Sequence, residues 1–89
     1  MRIVFDRDAW LDYVAWQNED AATAQRINAL VEDARRHPFA GLGKPEPLKQ
    51  SLRGWWSRRI SGEHRLVYRV SGSGATQALE ILSCRYHYR

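Results

Sequence analysis

Three kinds of side chain in this sequence could together cleave RNA without a metal: a carboxylate, an imidazole and a guanidinium. Transesterification needs a base for the 2′-hydroxyl, an acid for the leaving 5′-oxygen and cations around the transition state. Glu46 stands between Pro45 and Pro47, whose fixed φ angles could hold its carboxylate over a sheet face. His87 is a natural proton donor near neutral pH, and Arg65 can fork two donors onto a phosphate. These residues predict a general base, a general acid and a transition-state stabiliser.

Each of these residues also has an ordinary interpretation. A histidine in a tail can simply be solvated, and a single loop glutamate usually is. Strand arginines can solubilise a sheet face or pair with Glu63 and Glu80. Strand alternation favours Arg59 over Arg58 at the site, because Arg58 shares its side with the apolar Trp56. The chemical interpretation therefore requires these groups to meet at one place in the fold.

The charge of the chain is unevenly distributed. Residues 1–43 carry five basic and seven acidic side chains, whereas residues 44–89 carry nine basic and three acidic ones. Such a localised positive field attracts phosphate backbones or acidic protein segments. The cations of this half that we predict to bind RNA or the ribosome are Lys44, Lys49, Arg53, Arg59 and Arg85.

Composition excludes several classes of protein. A lone cysteine, Cys84, cannot form an internal disulfide, and no Cys/His group has the spacing of zinc ligands. No apolar run approaches membrane-spanning length. We therefore expect one domain over residues 1–89, without a cofactor, in the reducing cytoplasm and away from membranes.

The order of predicted elements is β-α-α-β-β-β, typical of an α+β domain with two helices lying against one antiparallel sheet. Asp6 and Asp20 are plausible N-caps, and His37-Pro38 ends the second helix. Residues 38–47 hold all three prolines and are predicted to form a constrained surface loop. The predicted strands cover residues 2–5, 55–61, 65–71 and 76–86.

The apolar pattern predicts which faces are buried. The positions expected on one side of the first helix are Trp10, Tyr13, Val14 and Gln17. Those expected on the packed side of the second helix are Ala24, Ile27, Leu30, Val31 and Ala34. Trp10 and Trp56 are expected in the core, and Cys84 as a small buried hydrophobe. The sheet face opposite the helices is expected to be open and to present Arg65 and Arg69 in a row.

Five short motifs lie in order along the chain: Asp-Tyr-Val-Ala-Trp-Gln (12–17), Gly-Lys-Pro-Glu-Pro-Leu-Lys (43–49), Gly-Trp-Trp-Ser-Arg-Arg-Ile (54–60), Glu-His-Arg-Leu-Val-Tyr (63–68) and Cys-Arg-Tyr-His-Tyr (84–88). Together they resemble the YoeB (Txe/YoeB) toxins of bacterial type II toxin–antitoxin systems. The resemblance implies a RelE-like fold and a ribosome-dependent endoribonuclease that cuts mRNA at the A site, leaving a 2′,3′-cyclic phosphate.

The resemblance also implies roles and partners. By motif, Glu46 would be the general base, Arg65 the phosphate stabiliser, His87 the general acid and Tyr88 a residue that positions the substrate. The residues in supporting roles would be Lys49 and Arg59. The implied partners are a YefM-like antitoxin, the 70S ribosome with its mRNA, and a second copy of the chain. Arg89 departs from the family, which usually ends at the His-Tyr pair.

Two other functions stay open from the sequence. A basic sheet could block ribosomal RNA or a protein partner without cleaving anything. A ParE-like gyrase inhibitor would share the general fold, but it would not need Glu46, His87 and Tyr88.

Overall fold

Two helices and five strands make up the part of the chain, residues 1–87, that a computed structural model describes. The helices are α1 (Arg7–Glu19) and α2 (Ala21–Arg36). The strands are β1 (Arg2–Phe5), β2 (Glu46–Pro47), β3 (Trp56–Arg59), β4 (Arg65–Ser71) and β5 (Ala78–Ser83). Short 3₁₀ turns cover Gln50–Leu52 and Gly74–Thr76. Within residues 1–87, no helix has the length and apolar character needed to cross a membrane.

The strands form one sheet in the order β1-β5-β4-β3-β2. The predicted fold class, an α+β domain with two helices on a sheet, is confirmed. Two details differ from the prediction. β1 pairs in parallel with β5, so the sheet is mixed. Glu46–Pro47, expected in a loop, pairs with β3 as an edge strand, a position that tolerates a proline without an N–H donor.

The second helix follows its sequence pattern closely. Its buried residues are Ala24, Ile27, Leu30, Val31 and Ala34, as predicted. The Asp20 side chain caps the helix by accepting a hydrogen bond from the Thr23 N–H at 3.2 Å. Burial of Ile27 or Leu30, both fully buried, stabilises the fold by about 1.5–3 kcal/mol each. These residues belong to one core cluster with buried residues of β4 and β5.

The side through which the first helix packs shares only Tyr13, which is half-buried against the core, with the predicted side. Its buried residues are Ala9 and Trp16, whereas Trp10 is 50 % exposed. The assignment of Trp10 to the core is therefore wrong. The small Ala9 side chain faces the sheet, and Trp10 lies at the surface with its ring centroid 5.6 Å from that of Phe5 and 5.7 Å from that of Tyr13.

The sheet face opposite the helices is less open than predicted. Val67 and Ser57 are buried on this side, and Leu52 from the 3₁₀ turn lines a groove together with Val67. The expected row from Arg65 to Arg69 is thus interrupted by a buried valine. The exposed arginines that β3 and β4 present on this face are Arg59 at the end of β3 and Arg69 near the end of β4.

Candidate active site

Glu46 lies at one end of a row of residues that crosses the sheet. It is paired with Ser57 on β3, Ser57 is paired with Val67 on β4, and Val67 is paired with Ser83 on β5. Directly opposed residues share a face, so Glu46 lies on the same face as Val67. Tyr68, the next residue after Val67, belongs to the core under the helices, so Val67 faces the other way. Glu46 is exposed on the face opposite the helices. The structure therefore puts this carboxylate on the face that was predicted for it.

The loop before Glu46 is held by Arg58, which is fully buried. Its guanidinium donates hydrogen bonds to the Asp33 carboxylate at 2.6 Å and to the Tyr68 hydroxyl at 2.9 Å. It also donates to three loop carbonyls, those of His37, Ala40 and Leu42. The hydrogen bond from Arg58 is the main cause of the lowered pKa of Asp33. The inward direction of Arg58 agrees with the strand alternation that favoured Arg59 at the site.

A close backbone contact continues this anchoring toward Glu46. The Gly43 carbonyl accepts a hydrogen bond from the Arg59 N–H at 2.7 Å. Gly43 has a φ of +79°, and a Cβ added there would meet Leu30 Cδ2 at 2.8 Å. The loop therefore needs glycine at this position, and it delivers Glu46 to the edge of the sheet in a fixed register.

Arg59 and Arg65 stand directly opposite each other on β3 and β4. Arg59 is exposed, and the half-buried Arg65 donates from Nη1 to the carbonyls of Ser61 at 2.7 Å and His64 at 3.1 Å. Alternation puts both on the same face as Glu46. The strands of Glu46 and Arg65 are two spacings apart, roughly 10 Å, and Arg65 is also displaced by two residues along the sheet, because Glu46 is opposite Ser57 and Arg65 is opposite Arg59.

The basic residues of the second half divide into two groups. Arg58 is paired with Asp33, Arg69 with Glu80, and Arg85 with Glu19. The members of the other group form no ion pair with any described carboxylate, and they are Lys44, Lys49, Arg53, Arg59 and Arg65. The described cations of the second half that lack an internal counter-charge therefore belong to the loop before β2, the segment between β2 and β3, and the facing ends of β3 and β4.

Arg85 was predicted to bind RNA or the ribosome, but in the structure its side chain contacts the first helix. Its guanidinium carbon lies 4.1 Å from the centroid of the Trp16 ring, and its side chain is paired with Glu19 of α1. The guanidinium is thus directed at the first helix. A role for Arg85 in binding RNA stays a prediction and would require this contact to open.

The terminal segment, Cys84 to Tyr86, lies outside the sheet, although the predicted strand extended to residue 86. β5 ends at Ser83, and the backbone beyond it is held by other groups. The Trp16 indole N–H donates to the Cys84 carbonyl at 3.0 Å, and the Arg65 N–H donates to the Tyr86 carbonyl at 3.0 Å. The Tyr86 N–H donates to Nδ1 of His64 at 2.7 Å. This segment leads the chain from the end of β5 to the start of β4, beside Arg65.

His87 follows this segment and is exposed. It lines a groove of about 290 Å³ whose apolar part comes from Leu52, Val67 and Leu82. Tyr88, predicted to position the substrate, and Arg89 lie outside the described residues. Glu46, Arg59 and Arg65 thus share a sheet face, and the residue before His87 is bonded to the backbone of Arg65.

Among the described residues, three that are not glycine have a left-handed backbone, and each lies within two residues of a predicted site residue. The non-glycine residues with positive φ in residues 1–87 are Lys44 at 52°, Gln50 at 55° and Tyr86 at 61°. Each such residue costs about 1–3 kcal/mol, and strained residues concentrate at functional sites. Lys44 leads into Glu46, Gln50 follows Lys49, and Tyr86 precedes His87.

Sequence reasoning assigned no role to His64, to Trp16 or to the inward side of Arg58. Nothing in the sequence around His64 shows that its ring accepts a hydrogen bond from the backbone of Tyr86. Cys84 behaves as predicted: it is fully buried, and burial raises the pKa of its thiol to about 12. That thiol is not a nucleophile.

Comparison with known proteins places this geometry in a family. The family model described as "YoeB-like toxin of bacterial type II toxin-antitoxin system" matches residues 5–88. The chain belongs to this family. It is 50 % identical over 88 residues to Toxin YoeB of Escherichia coli strain K12, covering 99 % of this chain and 100 % of that protein. It is 51 % identical over 84 residues to Toxin RelK of Mycobacterium tuberculosis, covering 94 % of each.

Solved structures agree with this membership. A YoeB/ParE toxin from Agrobacterium tumefaciens superposes with a TM-score of 0.96 at 57 % identity, over 99 % of this chain and 100 % of that one. A YoeB dimer from Staphylococcus aureus gives a TM-score of 0.87 at 42 % identity, over 99 % and 98 %. The toxin in a YoeB–YefM complex from Staphylococcus aureus also gives 0.87, at 40 % identity over 99 % and 98 %. The chain is thus a YoeB-type toxin of a toxin–antitoxin system.

Proposed function

We propose that this toxin is a ribosome-dependent endoribonuclease that cleaves mRNA in the A site by general acid–base transesterification. One observation carries the proposal: Glu46, Arg59 and Arg65 share a sheet face, with no ion pair between either arginine and a described carboxylate. Two like charges directly opposed on a sheet are unfavourable by themselves. An anion between them would neutralise that repulsion, and a scissile phosphate is such an anion.

The proposed reaction uses each group once. The Glu46 carboxylate takes the proton from the 2′-hydroxyl, and the 2′-oxygen attacks the phosphorus. Arg65 and Arg59 stabilise the negative charge that develops on the non-bridging oxygens. His87 gives a proton to the departing 5′-oxygen, which leaves a 2′,3′-cyclic phosphate and a 5′-hydroxyl. Acid and base catalysis each contribute typically about 10²- to 10⁴-fold.

The remaining cations without ion pairs, Lys44, Lys49 and Arg53, extend the basic surface around Glu46. In this proposal they contact phosphates of mRNA or ribosomal RNA and fix the register of the toxin, without reading base identity. Tyr88 then helps to position the substrate, as the family resemblance implies. Translation stops because the A-site codon is cut.

We also propose a YefM-like antitoxin as the physiological partner, together with a homodimeric state of the toxin. The Staphylococcus aureus relatives are a YoeB dimer and a YoeB–YefM complex. An acidic antitoxin segment that folds on binding would find its complement in the cations around Glu46. Its binding would cover the proposed site and neutralise the toxin.

Primer extension on mRNA translated in a purified system tests the proposed reaction. The wild-type toxin should produce new 5′ ends within A-site codons, and Glu46→Gln and His87→Gln should each lower the rate by about 10²- to 10⁴-fold. His37→Gln is the matched control, because it removes an exposed imidazole at the end of α2, away from the sheet face. This control should cleave like the wild type.

Two results would contradict the proposal. Cleavage by His87→Gln at the normal rate would remove the proposed proton donor. Arrest of translation without new 5′ ends would favour a non-catalytic ribosome-binding inhibitor, and DNA damage without mRNA cleavage would favour a ParE-like gyrase inhibitor.

A further inference from the structure

We infer that His64 is a positioning residue, whose imidazole fixes the terminal segment, Cys84 to Tyr86, and thereby the location of His87. The catalytic part of this inference rests on the proposed function. His64 is assigned no direct contact with RNA. It acts through the backbone of Tyr86, the residue that precedes the proposed general acid.

The hydrogen bonds of Tyr86 show why a side chain is needed here. The Tyr86 carbonyl accepts the Arg65 N–H, as a strand neighbour would, while the Tyr86 N–H donates to Nδ1 of His64 at 2.7 Å. The backbone carbonyl of His64 is already used by the N–H groups of Ile60 at 3.0 Å and Ser61 at 3.2 Å. The imidazole therefore supplies an acceptor that the backbone does not.

His64 is itself held in place on several sides. Its ring meets the Trp16 ring edge-on, with centroids 4.9 Å apart, and its side chain is only 13 % exposed. Trp16 in turn donates its indole N–H to the Cys84 carbonyl. Because Nδ1 accepts a hydrogen bond, the proton of the neutral ring is on Nε2, which lies 3.4 Å from the Glu63 carboxylate. One aromatic pair thus contacts the terminal segment at two points.

Loss of the imidazole would release a strained conformation. Tyr86 has a φ of +61°, which an L-residue keeps only when its surroundings determine it. Without Nδ1 the Tyr86 N–H loses its acceptor, and the backbone can relax toward negative φ. That rotation would move His87, the next residue, relative to Arg65. A misplacement of about 1 Å can cost on the order of 10²-fold in rate.

The test compares His64→Ala with His64→Asn in the full-length toxin. The asparagine side-chain oxygen can occupy nearly the place of Nδ1 and still accept the Tyr86 N–H, whereas alanine cannot. His37→Ala is the matched control for removal of an imidazole. Three quantities are measured for each: the single-turnover cleavage rate on programmed ribosomes at saturating toxin, the half-saturating toxin concentration, and hydrogen exchange of the Tyr86 amide.

We expect His64→Ala to lower the saturating rate on the order of 10²-fold, with little change in the half-saturating concentration. Exchange of the Tyr86 amide should accelerate in the same variant. His64→Asn should keep most of the rate and of the protection, and His37→Ala all of both. Thermal unfolding, followed in parallel, confirms that each variant is folded at the assay temperature.

Other outcomes would overturn the inference. Wild-type rate and wild-type protection of the Tyr86 amide in His64→Ala would show that the segment is held without the imidazole. Equal impairment of the alanine and asparagine variants, with the Tyr86 amide still protected, would point to a different role. If the wild-type toxin does not cleave mRNA, the proposed function fails, and the exchange measurement alone decides whether His64 holds the segment.

Discussion

At the scale of single residues, the site combines one carboxylate with cations that lack internal neutralisation. Arg59 on β3 and Arg65 on β4 oppose each other, while Arg58, the residue before Arg59, is buried on the other side of the sheet. The repulsion between Arg59 and Arg65 is a cost to the folded toxin when no anion is bound. Arg59 therefore lowers the stability of the free toxin, while the proposed function requires its positive charge.

Replacing Arg59 by glutamine should separate these two demands. Removal of the opposed charge should raise the melting temperature by roughly 1 to 5 °C at low salt. It should also weaken ribosome binding and reduce the slope of log affinity against log salt by about 1. Calorimetry and binding at several salt concentrations measure the two effects.

Arg36→Gln is the control for the loss of one positive charge, since Arg36 lies on α2 and contacts Glu32. It should leave ribosome affinity nearly unchanged and should not stabilise the toxin. A lower melting temperature in Arg59→Gln would show that the opposed arginines do not repel each other. Equal loss of ribosome binding in both variants would show that Arg59 makes no particular contact with the ribosome.

The sequence predicted on which side of the sheet Glu46, Arg58 and Arg59 lie, because the determinants are local. Alternation along β3 separates Arg59 from Arg58, and two prolines mark Glu46. The contact of His64 with Tyr86 could not be predicted, because it joins residues whose proximity depends on where β5 ends. The end of β5 at Ser83 is set by tertiary hydrogen bonds from Trp16 and Arg65.

At the scale of secondary-structure elements, the loop between α2 and β2 depends on one buried ion pair. Arg58 joins the Asp33 carboxylate of α2 to three loop carbonyls. The lowered pKa of Asp33 means that its ionised form is favoured by folding. The stability that this pair adds is present above the ordinary pKa of 3.8 and is lost as the pH falls through the lowered value.

Asp33→Asn should therefore lower the melting temperature at pH 7. Asparagine has nearly the shape of aspartate, but it leaves the buried Arg58 without a counter-charge. The difference from the wild type should begin to shrink below pH 3.8, where Asp33 of the unfolded chain binds a proton, and should continue to shrink until the pH reaches the lowered pKa of the folded state. Thermal unfolding between pH 7 and pH 3 measures this dependence.

Glu32→Gln is the matched control on the same helix. Glu32 also has a lowered pKa, mainly through its hydrogen bond from Arg35, but this pair lies at the surface and is screened by solvent. Its replacement should change the melting temperature much less. An Asp33→Asn deficit that stays the same from pH 7 to pH 3 would exclude the charge of Asp33 as its cause.

The elements differ in how far the sequence could predict them. α2 has a single apolar stripe, so its packed face was predicted correctly. α1 carries large aromatic residues on more than one side, and the small Ala9 decided which side faces the sheet. β2 was not predicted, because prolines are usually absent from central strands. Glu46–Pro47 can pair with β3 because it lies at the edge of the sheet.

At the scale of the whole molecule, the acids that neutralise Arg58 and Arg85 lie apart from the cations on the opposite sheet face. The helical layer carries the acids that bind Arg58 and Arg85, and the opposite sheet face carries the cations around Glu46. The sequence showed this asymmetry as a basic second half. It could not show that β1 pairs in parallel with β5, because a short apolar strand carries no information about its partner.

The central claim is that Glu46 and His87 act on opposite sides of one scissile phosphate, as base and acid. An mRNA with sulfur in place of the leaving 5′-oxygen of the A-site codon tests it most directly, because a thiolate leaves without protonation. Single-turnover cleavage is measured for the wild type, Glu46→Gln and His87→Gln on the oxygen and sulfur substrates. We expect sulfur to restore most of the rate lost in His87→Gln but not that lost in Glu46→Gln. A His87→Gln variant that stays equally slow on both substrates would contradict the claim.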